Sequence, residues 1–334
     1  MAPLRIGILG AARIAPMALI KPAAGNDEVE VAAVAARDPQ KAQAFADKHG
    51  IARTHRSYED LVADPELDAI YNPLPNGLHA RWTTAALEAG KHVLCEKPFT
   101  SNEAEAREVA AVAEARPDQV VMEAFHYRYH PFAARLDEIC RSGVLGEVRH
   151  VETWMNIPLP RFKDIRYDFD LAGGATMDVG CYAIHCLRLL AGEEPRVTWA
   201  KAKLRGPHID RAMEADMELS GGATGRIRCS MWSSSLLSLG AKVEGSEGTL
   251  KVRNFTLPQV LGKLTVQGKA CKRSEKAPKG VTYGFQLQAF ADAVLRGAPV
   301  LTPPSDSIAN MAVIDAVYDR AGLPRRGTDP DAEA

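Results

Sequence analysis

The tetrad Cys95-Glu96-Lys97-Pro98 closes an apolar run, His92-Val93-Leu94-Cys95, so a lysine is delivered at the end of a predicted strand just before a proline. An amine held there is poised for chemistry. Far upstream a second run, Leu4 to Leu9, leads into Gly10-Ala11-Ala12-Arg13-Ile14-Ala15 and then a helical pattern. Together the two strand ends suggest a nucleotide held against a reactive amine.

The elements that must position these groups follow from periodicity. Over the first 120 residues short apolar strands (Arg5 to Leu9, Val29 to Ala35, Ala69 to Tyr71, Val93 to Cys95, Val120 to Met122) alternate with Ala-rich helical stretches. The helical stretches are Pro39 to Lys48, Tyr58 to Val62, His79 to Ala89 and Asn102 to Glu114. That alternation predicts a doubly wound parallel sheet. After Ala124 the pattern turns to alternating strands: Val148 to Met155, Val197 to Leu204, Met213 to Leu219, Gly225 to Trp232, Ala241 to Glu244 and Leu250 to Val252. Gly221-Gly222 and Gly245-Ser246-Glu247-Gly248 read as hairpin turns. Helices return at Tyr283 to Leu295 and Ser305 to Ala321, where Ser305 can cap. The expectation is an α/β chain of two domains. Residues 1–124 form a dinucleotide-binding Rossmann domain, and 125–334 a substrate-binding and oligomerisation domain on a large, mainly antiparallel open sheet. Only the last few residues read as disordered.

Composition excludes several classes. With 46% hydrophobic and 25% charged residues the chain is an ordinary globular protein, and 41 basic against 42 acidic side chains leave a formal charge of −1. No basic run marks a nucleic-acid surface, and no apolar segment reads as a membrane span or secretory signal, so a cytoplasmic protein is expected. The six cysteines, at 95, 140, 181, 186, 229 and 271, contain no Cys-x-x-Cys pair and read as small hydrophobes in a reducing compartment. Cys181, His185 and Cys186 do not converge at helical spacing and no further pair completes four ligands, so no metal is expected.

In the first turn Gly10 matches the first glycine of a dinucleotide fingerprint, while Ala12 and Ala15 stand at the second and third positions. A pyrophosphate there needs close backbone approach and the free N–H groups of a helix start; Pro16 costs that start nothing. A structural strand-turn-helix explains the stretch equally well. The second strand ends in Ala36-Arg37, where an NAD site would place an acidic residue. A guanidinium at that point pairs bidentately with a 2′-phosphate, which favours NADP over NAD; the neighbouring Asp38 can still reach a ribose. Two further loops follow strand ends: Asn72-Pro73-Leu74-Pro75-Asn76, with His79 behind it, and Glu96-Lys97-Pro98. Asn76 and His79 offer polar groups to a ribose or nicotinamide, or simply open a helix.

On these residues the chain resembles the glucose-fructose oxidoreductase and inositol dehydrogenase family (Gfo/Idh/MocA). The resemblance is carried by Gly7-Ile8-Leu9-Gly10, Pro75-Asn76 with His79, Glu96-Lys97-Pro98 and Glu123-Ala124-Phe125 with Arg128 and His130-Pro131. It is completed by Gly173-Gly174-Ala175-Thr176-Met177-Asp178-Val179-Gly180-Cys181-Tyr182. It is greatest to the branch of NADP-dependent dimeric dihydrodiol dehydrogenases and aldose (xylose) dehydrogenases. It implies that Lys97 is catalytic, with Asp178 and, four residues on, Tyr182 as the proton-transferring group. Tyr, where inositol dehydrogenases carry His, points away from inositol.

The chemistry of that trio stands on its own. Oxidising an alcohol sends a hydride to nicotinamide and a proton to a group within hydrogen-bond reach. A free phenol titrates near pH ~10, and an adjacent ammonium favours its phenolate. At i and i+4 of a helix starting near Met177, Asp178 shares a face with Tyr182 and can contact substrate or orient Lys97. His185 reads as a satisfied helix residue. Arg128, His130, Trp154, Arg166 and Tyr167 are substrate-pocket candidates from the second domain, each with a surface or core role as the alternative.

The expected activity is NADP-dependent hydride transfer to or from a hydroxyl of a sugar, polyol or cyclic diol. Gly10, Ala11, Ala12, Arg13, Ile14, Arg37, Pro75, Asn76, His79, Glu96 and Lys97 surround the cofactor, and the protein is a homodimer or homotetramer through its C-terminal sheet. The alternatives are a glycoside hydrolase with a tightly held nicotinamide cofactor and a non-catalytic NADP-binding regulator.

Overall fold

A computed structural model describes residues 2–161, 163–234, 237–269 and 272–329. Cys271 and the C-terminal residues expected to lack order lie outside the described residues, apart from the stretch ending at 329. Two compact units interleave along the chain: one takes residues 1–100, 104–126 and 283–308, the other 101–103, 127–282 and 309–334.

The first unit is built on strands β1 (Leu4–Leu9), β2 (Val29–Ala35), β3 (Arg53–His55), β4 (Ala69–Asn72), β5 (His92–Cys95) and β6 (Val121–Glu123). Its helices in chain order are α1 (Lys21–Ala23), α2 (Pro39–His49), α3 (Tyr58–Ala63), α4 (His79–Glu88) and α5 (Glu103–Glu114). All strands are parallel in the order β3-β2-β1-β4-β5-β6, the doubly wound arrangement. Covered on both faces, β4 is buried at every position, as parallel strands must be. Strand order reverses between β1 and β4, and at such a reversal the carboxyl ends leave a crevice for a ligand. β3 escapes the sequence reading because Arg-Thr-His, half-buried at the sheet edge, has no apolar alternation.

The second unit contains α6 (Pro131–Arg141), β7 (Val148–Asn156), α7 (Cys181–Ala191), β8 (Arg196–Leu204), β9 (Asp210–Glu218) and β10 (Thr224–Ser230). It continues with β11 (Ser238–Gly245), β12 (Gly248–Arg253), β13 (Lys263–Gly268) and β14 (Lys272–Lys276). These strands form one eight-stranded sheet, β14-β13-β12-β11-β7-β10-β9-β8, antiparallel except for β7 beside β10. Val151, Thr153 and Met155 of β7 face inward, and Thr153 Oγ1 donates to the Ala183 carbonyl of α7 at 2.7 Å. β13 and β14 were not expected: β14, Lys-Arg-Ser-Glu-Lys, carries no apolar residue because it is an edge strand, and charge suits an edge. Arg135 of α6 holds it through two hydrogen bonds to Glu275, at 2.9 and 2.8 Å. The last helices are α8 (Thr282–Arg296) and α9 (Pro304–Arg320).

Candidate active site

The residues expected to face a nucleotide follow strand ends of the first unit. Gly10 sits at φ +87°, donating its N–H to Ala35 at 2.7 Å, and a Cβ there would lie 3.1 Å from Leu74 Cδ2. The glycine is therefore demanded by both conformation and space. Ala11, Ala12 and Ile14 are half-buried and Arg13 is exposed beyond it. A π-helical turn, Pro16–Ile20, then runs directly into α1. Such turns are rare and recur at functional sites. This small-residue cradle before a helix start fits a dinucleotide pyrophosphate.

Arg37 is exposed just past β2. Asp38 caps α2 instead, accepting from the amides of Gln40 and Lys41 at 3.0 and 3.4 Å. Tyr58, which the sequence reading passed over as one helix residue, belongs with this group. Its hydroxyl would be 3.7 Å from a Cβ on Gly10; burial raises its pKa, and the Arg37 charge opposes that. The ring is held edge-on to Trp82, 5.1 Å between centroids. Only the three-dimensional packing of α3 against the β1 turn marks it.

At the next strand ends, the role of His79 differs from that of a group presented to ligand. The ring is buried, with Nδ1 2.8 Å from the Pro98 carbonyl and Nε2 2.7 Å from the Leu74 carbonyl. Burial pulls its pKa down to about 4, against the two carbonyls and with the Lys97 charge assisting. A neutral ring has one N–H, so it donates to one carbonyl at a time. It ties the Leu74 loop to the Pro98 loop. Asn72, also buried, donates to His79 O and Thr83 Oγ1, both at 3.2 Å, which leaves Pro75 and Asn76 half-buried at the loop tip.

Glu96 is buried, and Tyr71 donates its hydroxyl to Glu96 Oε1 at 2.7 Å. Lys97, half-buried, precedes a cis peptide bond to Pro98. Its charge reaches His126, whose pKa burial lowers to about 3. His126 stacks on Tyr283 of α8 with centroids 4.2 Å apart. Burial raises Tyr283 above the ordinary phenol range, and Glu96 adds to it. The Lys97 charge thus acts on two buried rings, His79 and His126, lowering the pKa of both.

In the second unit, the Gly173-Gly174 turn is required by close approach. A Cβ on Gly173 would lie 2.6 Å from the Asp168 carbonyl, and Gly174 adopts φ +131°. Their amides donate to Asp168 O and Arg166 O, both at 2.8 Å. A second π-helical turn, Thr176–Gly180, follows and continues as α7, so Asp178 and Tyr182 ride on one helical rod. Asp178 is one-fifth exposed, and Arg166 Nε lies 3.0 Å from its Oδ1 while Arg166 Nη1 donates to Asp164 at 2.9 Å. Asp178, chiefly, holds the Arg166 guanidinium even more firmly protonated than usual. Tyr182 is 5% exposed, and its ring centroid is 6.1 Å from that of Tyr127. Tyr127 in turn shares a 2.5 Å hydrogen bond with His185 Nδ1. His185 is thus the satisfied helix residue expected of it.

The remaining pocket candidates separate. Tyr167 donates to Leu159 O at 2.9 Å, and Arg205 lies 5.8 Å from its ring centre. Together with Arg166 it stands in the segment that docks on the Gly-Gly turn. His130 is fully buried and its Nδ1 accepts the Phe132 amide at 3.1 Å, so it caps α6. Trp154 points to the face of the sheet away from α7: it alternates with inward Val151, Thr153 and Met155, and its Nε1 donates to Ser238 at 2.9 Å. A one-residue alternation puts the sheet itself between that indole and α7. Both of these expected pocket residues thus have structural contacts of their own, one as a helix cap and one to a neighbouring strand. Arg128, half-buried, lies in a short 3₁₀ turn, His126–Tyr129.

Among the described residues no group of three His, Cys, Asp or Glu side chains could hold a metal ion. Cys95, Cys181, Cys186 and Cys229 are buried free thiols and Cys140 is half-buried. No described helix is long and apolar enough to cross a membrane.

Residues 4–124 match an oxidoreductase family with an NAD-binding Rossmann fold, and residues 133–251 match a GFO/IDH/MocA C-terminal domain. The chain is 40% identical over 320 residues to D-xylose 1-dehydrogenase (NADP(+)) 2 of Haloferax volcanii, covering 94% of this chain and 96% of that one. It is 32% identical over 287 residues to the trans-1,2-dihydrobenzene-1,2-diol dehydrogenase of Mus musculus, covering 84% and 83%. Its structure is similar, at a TM-score of 0.87 and 29% identity, to a 3-ketoreductase from Actinomadura kijaniata in complex with NADP and TDP-benzene, covering 95% and 97%.

Proposed function

The chain belongs to the Gfo/Idh/MocA oxidoreductase family, and from that premise we propose that it is an NADP-dependent enzyme interconverting a hydroxyl and a carbonyl on a sugar, polyol or cyclic diol. The observation that carries the reading is the Asp178–Tyr182 helix, where a buried phenol follows a carboxylate already paired with Arg166. Arg166 is committed to two carboxylates, and Lys97 is the further cationic group assigned to the chemistry.

The residues divide as follows. Gly10, Ala11, Ala12, Arg13 and Ile14 hold the pyrophosphate, Arg37 the 2′-phosphate, and Pro75, Asn76 and Glu96 the nicotinamide side, with His79 fixing the loops that carry them. When bound, NADP supplies the hydride acceptor or donor. Tyr182 takes the hydroxyl proton during oxidation and returns it during reduction, and Lys97 favours the phenolate. Asp178 orients the substrate hydroxyl, and Arg166 and Tyr167 set where that hydroxyl rests. Arg128 contacts the substrate.

Residues 1–124 carry the cofactor and 125–334 the substrate and subunit contacts. The exposed face of the eight-stranded sheet, crossed by the Arg226–Asp216 and Arg228–Glu152 pairs, is a surface suited to joining two copies in a homodimer or homotetramer. The protein works in the cytoplasm. A panel of sugars, polyols and cyclic diols, followed by NADPH absorbance with NADP and NAD in parallel, tests the reading. Turnover with none of them, or equal turnover with both cofactors, contradicts it.

A further inference from the structure

Arg326 is an arginine with no exposed surface, and its guanidinium serves three places at once. Nε donates to the Gly173 carbonyl at 2.6 Å, Nη2 to Asp210 Oδ1 at 2.9 Å and Nη1 to the Pro324 carbonyl at 2.9 Å. The flat cation is sandwiched by aromatic rings, 4.1 Å from the centre of Tyr318 and 4.9 Å from that of Phe169. Asp210, equally buried at the start of β9, divides its oxygens. Oδ1 takes Arg326 and the Tyr318 hydroxyl at 3.0 Å, while Oδ2 takes both the amide and the hydroxyl of Thr176 at 2.7 Å.

Two of these links end on the root of the helix that bears Asp178 and Tyr182: Arg326 on Gly173 and Asp210 on Thr176. Gly173 precedes its first turn and Thr176 opens it, and a Cβ on Gly174 would fall 2.2 Å from Asp210 Oδ1. We propose that Arg326 and Asp210 are a positioning pair for the reaction, fixing the pitch and rotation of the helix on which Asp178 and Tyr182 stand. The proposal rests on the function assigned above to those two residues.

The lever arm is what gives the pair its leverage. Tyr182 lies six residues beyond Thr176, about 9 Å along the helix axis, so a tilt of roughly 6° at the root moves it by about 1 Å. A displacement of that size is worth roughly a hundredfold in rate. A buried charge pair contributes little to net stability compared with a well-packed apolar replacement, so geometry is what this pair supplies.

The test compares Arg326→Met, Arg326→Lys and Asp210→Asn in the full chain with Tyr182→Phe run alongside. Each is measured for kcat, KM, the pH profile of kcat, NADPH affinity by fluorescence, and melting temperature. For Arg326→Met, kcat should fall roughly tenfold to a hundredfold and the pH profile should shift, with NADPH affinity within about twofold of the parent. Arg326→Lys, which keeps the charge and loses the fork, should recover part of the rate. Folded Arg326 and Asp210 variants with parental kcat and pH profile would overturn the proposal, as would a rate loss that merely tracks the unfolded fraction. If Arg326→Met does not fold, Arg326→Lys decides by the same two readouts. Persistent turnover in Tyr182→Phe would sink the functional assignment itself; an inactive Tyr182→Phe beside a fully active Arg326→Met sinks the positioning role alone.

Discussion

The Arg166 guanidinium lies 3.0 Å from the Asp178 carboxylate, and the same side chain holds Asp164 at 2.9 Å. Asp178 is thereby neutralised within its own unit. Cutting the guanidinium off removes one cation from a partly buried carboxylate four residues before Tyr182, and the added net negative charge there disfavours the phenolate. Arg166→Met is therefore expected to lower kcat by about tenfold and to move the rising limb of the kcat–pH profile toward alkaline pH. An unchanged profile from a folded variant would show that Asp178 does not sense the substrate end of the helix.

Removal of the proton-handling groups should separate chemistry from binding. Tyr182→Phe and Lys97→Ala are each expected to lower kcat by about 10² to 10⁴-fold, the usual span for general acid–base catalysis. NADPH affinity in Tyr182→Phe should match the parent, since a phenol-to-phenyl change leaves the Gly10 turn untouched. Near-parental turnover in both variants rules out the assignment.

Cofactor choice follows Arg37. Its replacement by Ala should weaken NADPH by roughly tenfold to a hundredfold, the worth of a charge-assisted contact of about 1.5 to 3 kcal/mol, and leave NADH almost unaffected. Equal losses for both nucleotides would exclude a 2′-phosphate contact. Tyr58→Phe provides a check on the same corner, because its hydroxyl neighbours Gly10.

The buried ring of His79 predicts an acid-sensitive fold. Its pKa falls from 6.5 to about 4 on folding, so the unfolded chain binds the extra proton between those values. The sign is then fixed: the contribution is complete above pH 6.5 and is lost as pH drops through about 4, a span worth about 3 kcal/mol. Asp315, raised to about 6 by burial, works in the opposite direction, which is why a difference is the right measurement. The denaturant-derived stability of the parent minus that of His79→Gln should be smaller at pH 4.5 than at pH 7. Parallel curves would mean that the imidazole keeps its ordinary affinity for protons.

Trp154 gives a prediction of near silence in catalysis. Its indole lies across the sheet from α7, under Arg228 at 5.9 Å and against Gly240, where a Cβ would meet it at 2.6 Å. Trp154→Ala should leave kcat and KM within about twofold while altering the mass measured by light scattering, if that sheet face joins subunits. A large fall in kcat would return the residue to the substrate pocket.

Much of this protein was legible in its residues because the demands were local. The Gly10 turn, the Lys97 strand end, the Gly173-Gly174 entry and the spacing of Asp178 to Tyr182 are each set by a few consecutive positions. Parallel strands buried on both faces announce themselves as apolar runs. What stayed hidden depends on distance in sequence. Tyr58 packs beside Gly10, and Arg326 reaches Gly173 and Asp210, across 153 and 116 positions, with no periodicity to signal either. Edge strands such as β14 carry no apolar pattern, because an edge is better kept charged than greasy. The pairing of Asp178 with Arg166, the burial of His79 and His130 as backbone clamps, and the side of the sheet taken by Trp154 were decided by tertiary packing. A side chain's type states what it can bind, but only the folded neighbourhood decides which partner reaches it first.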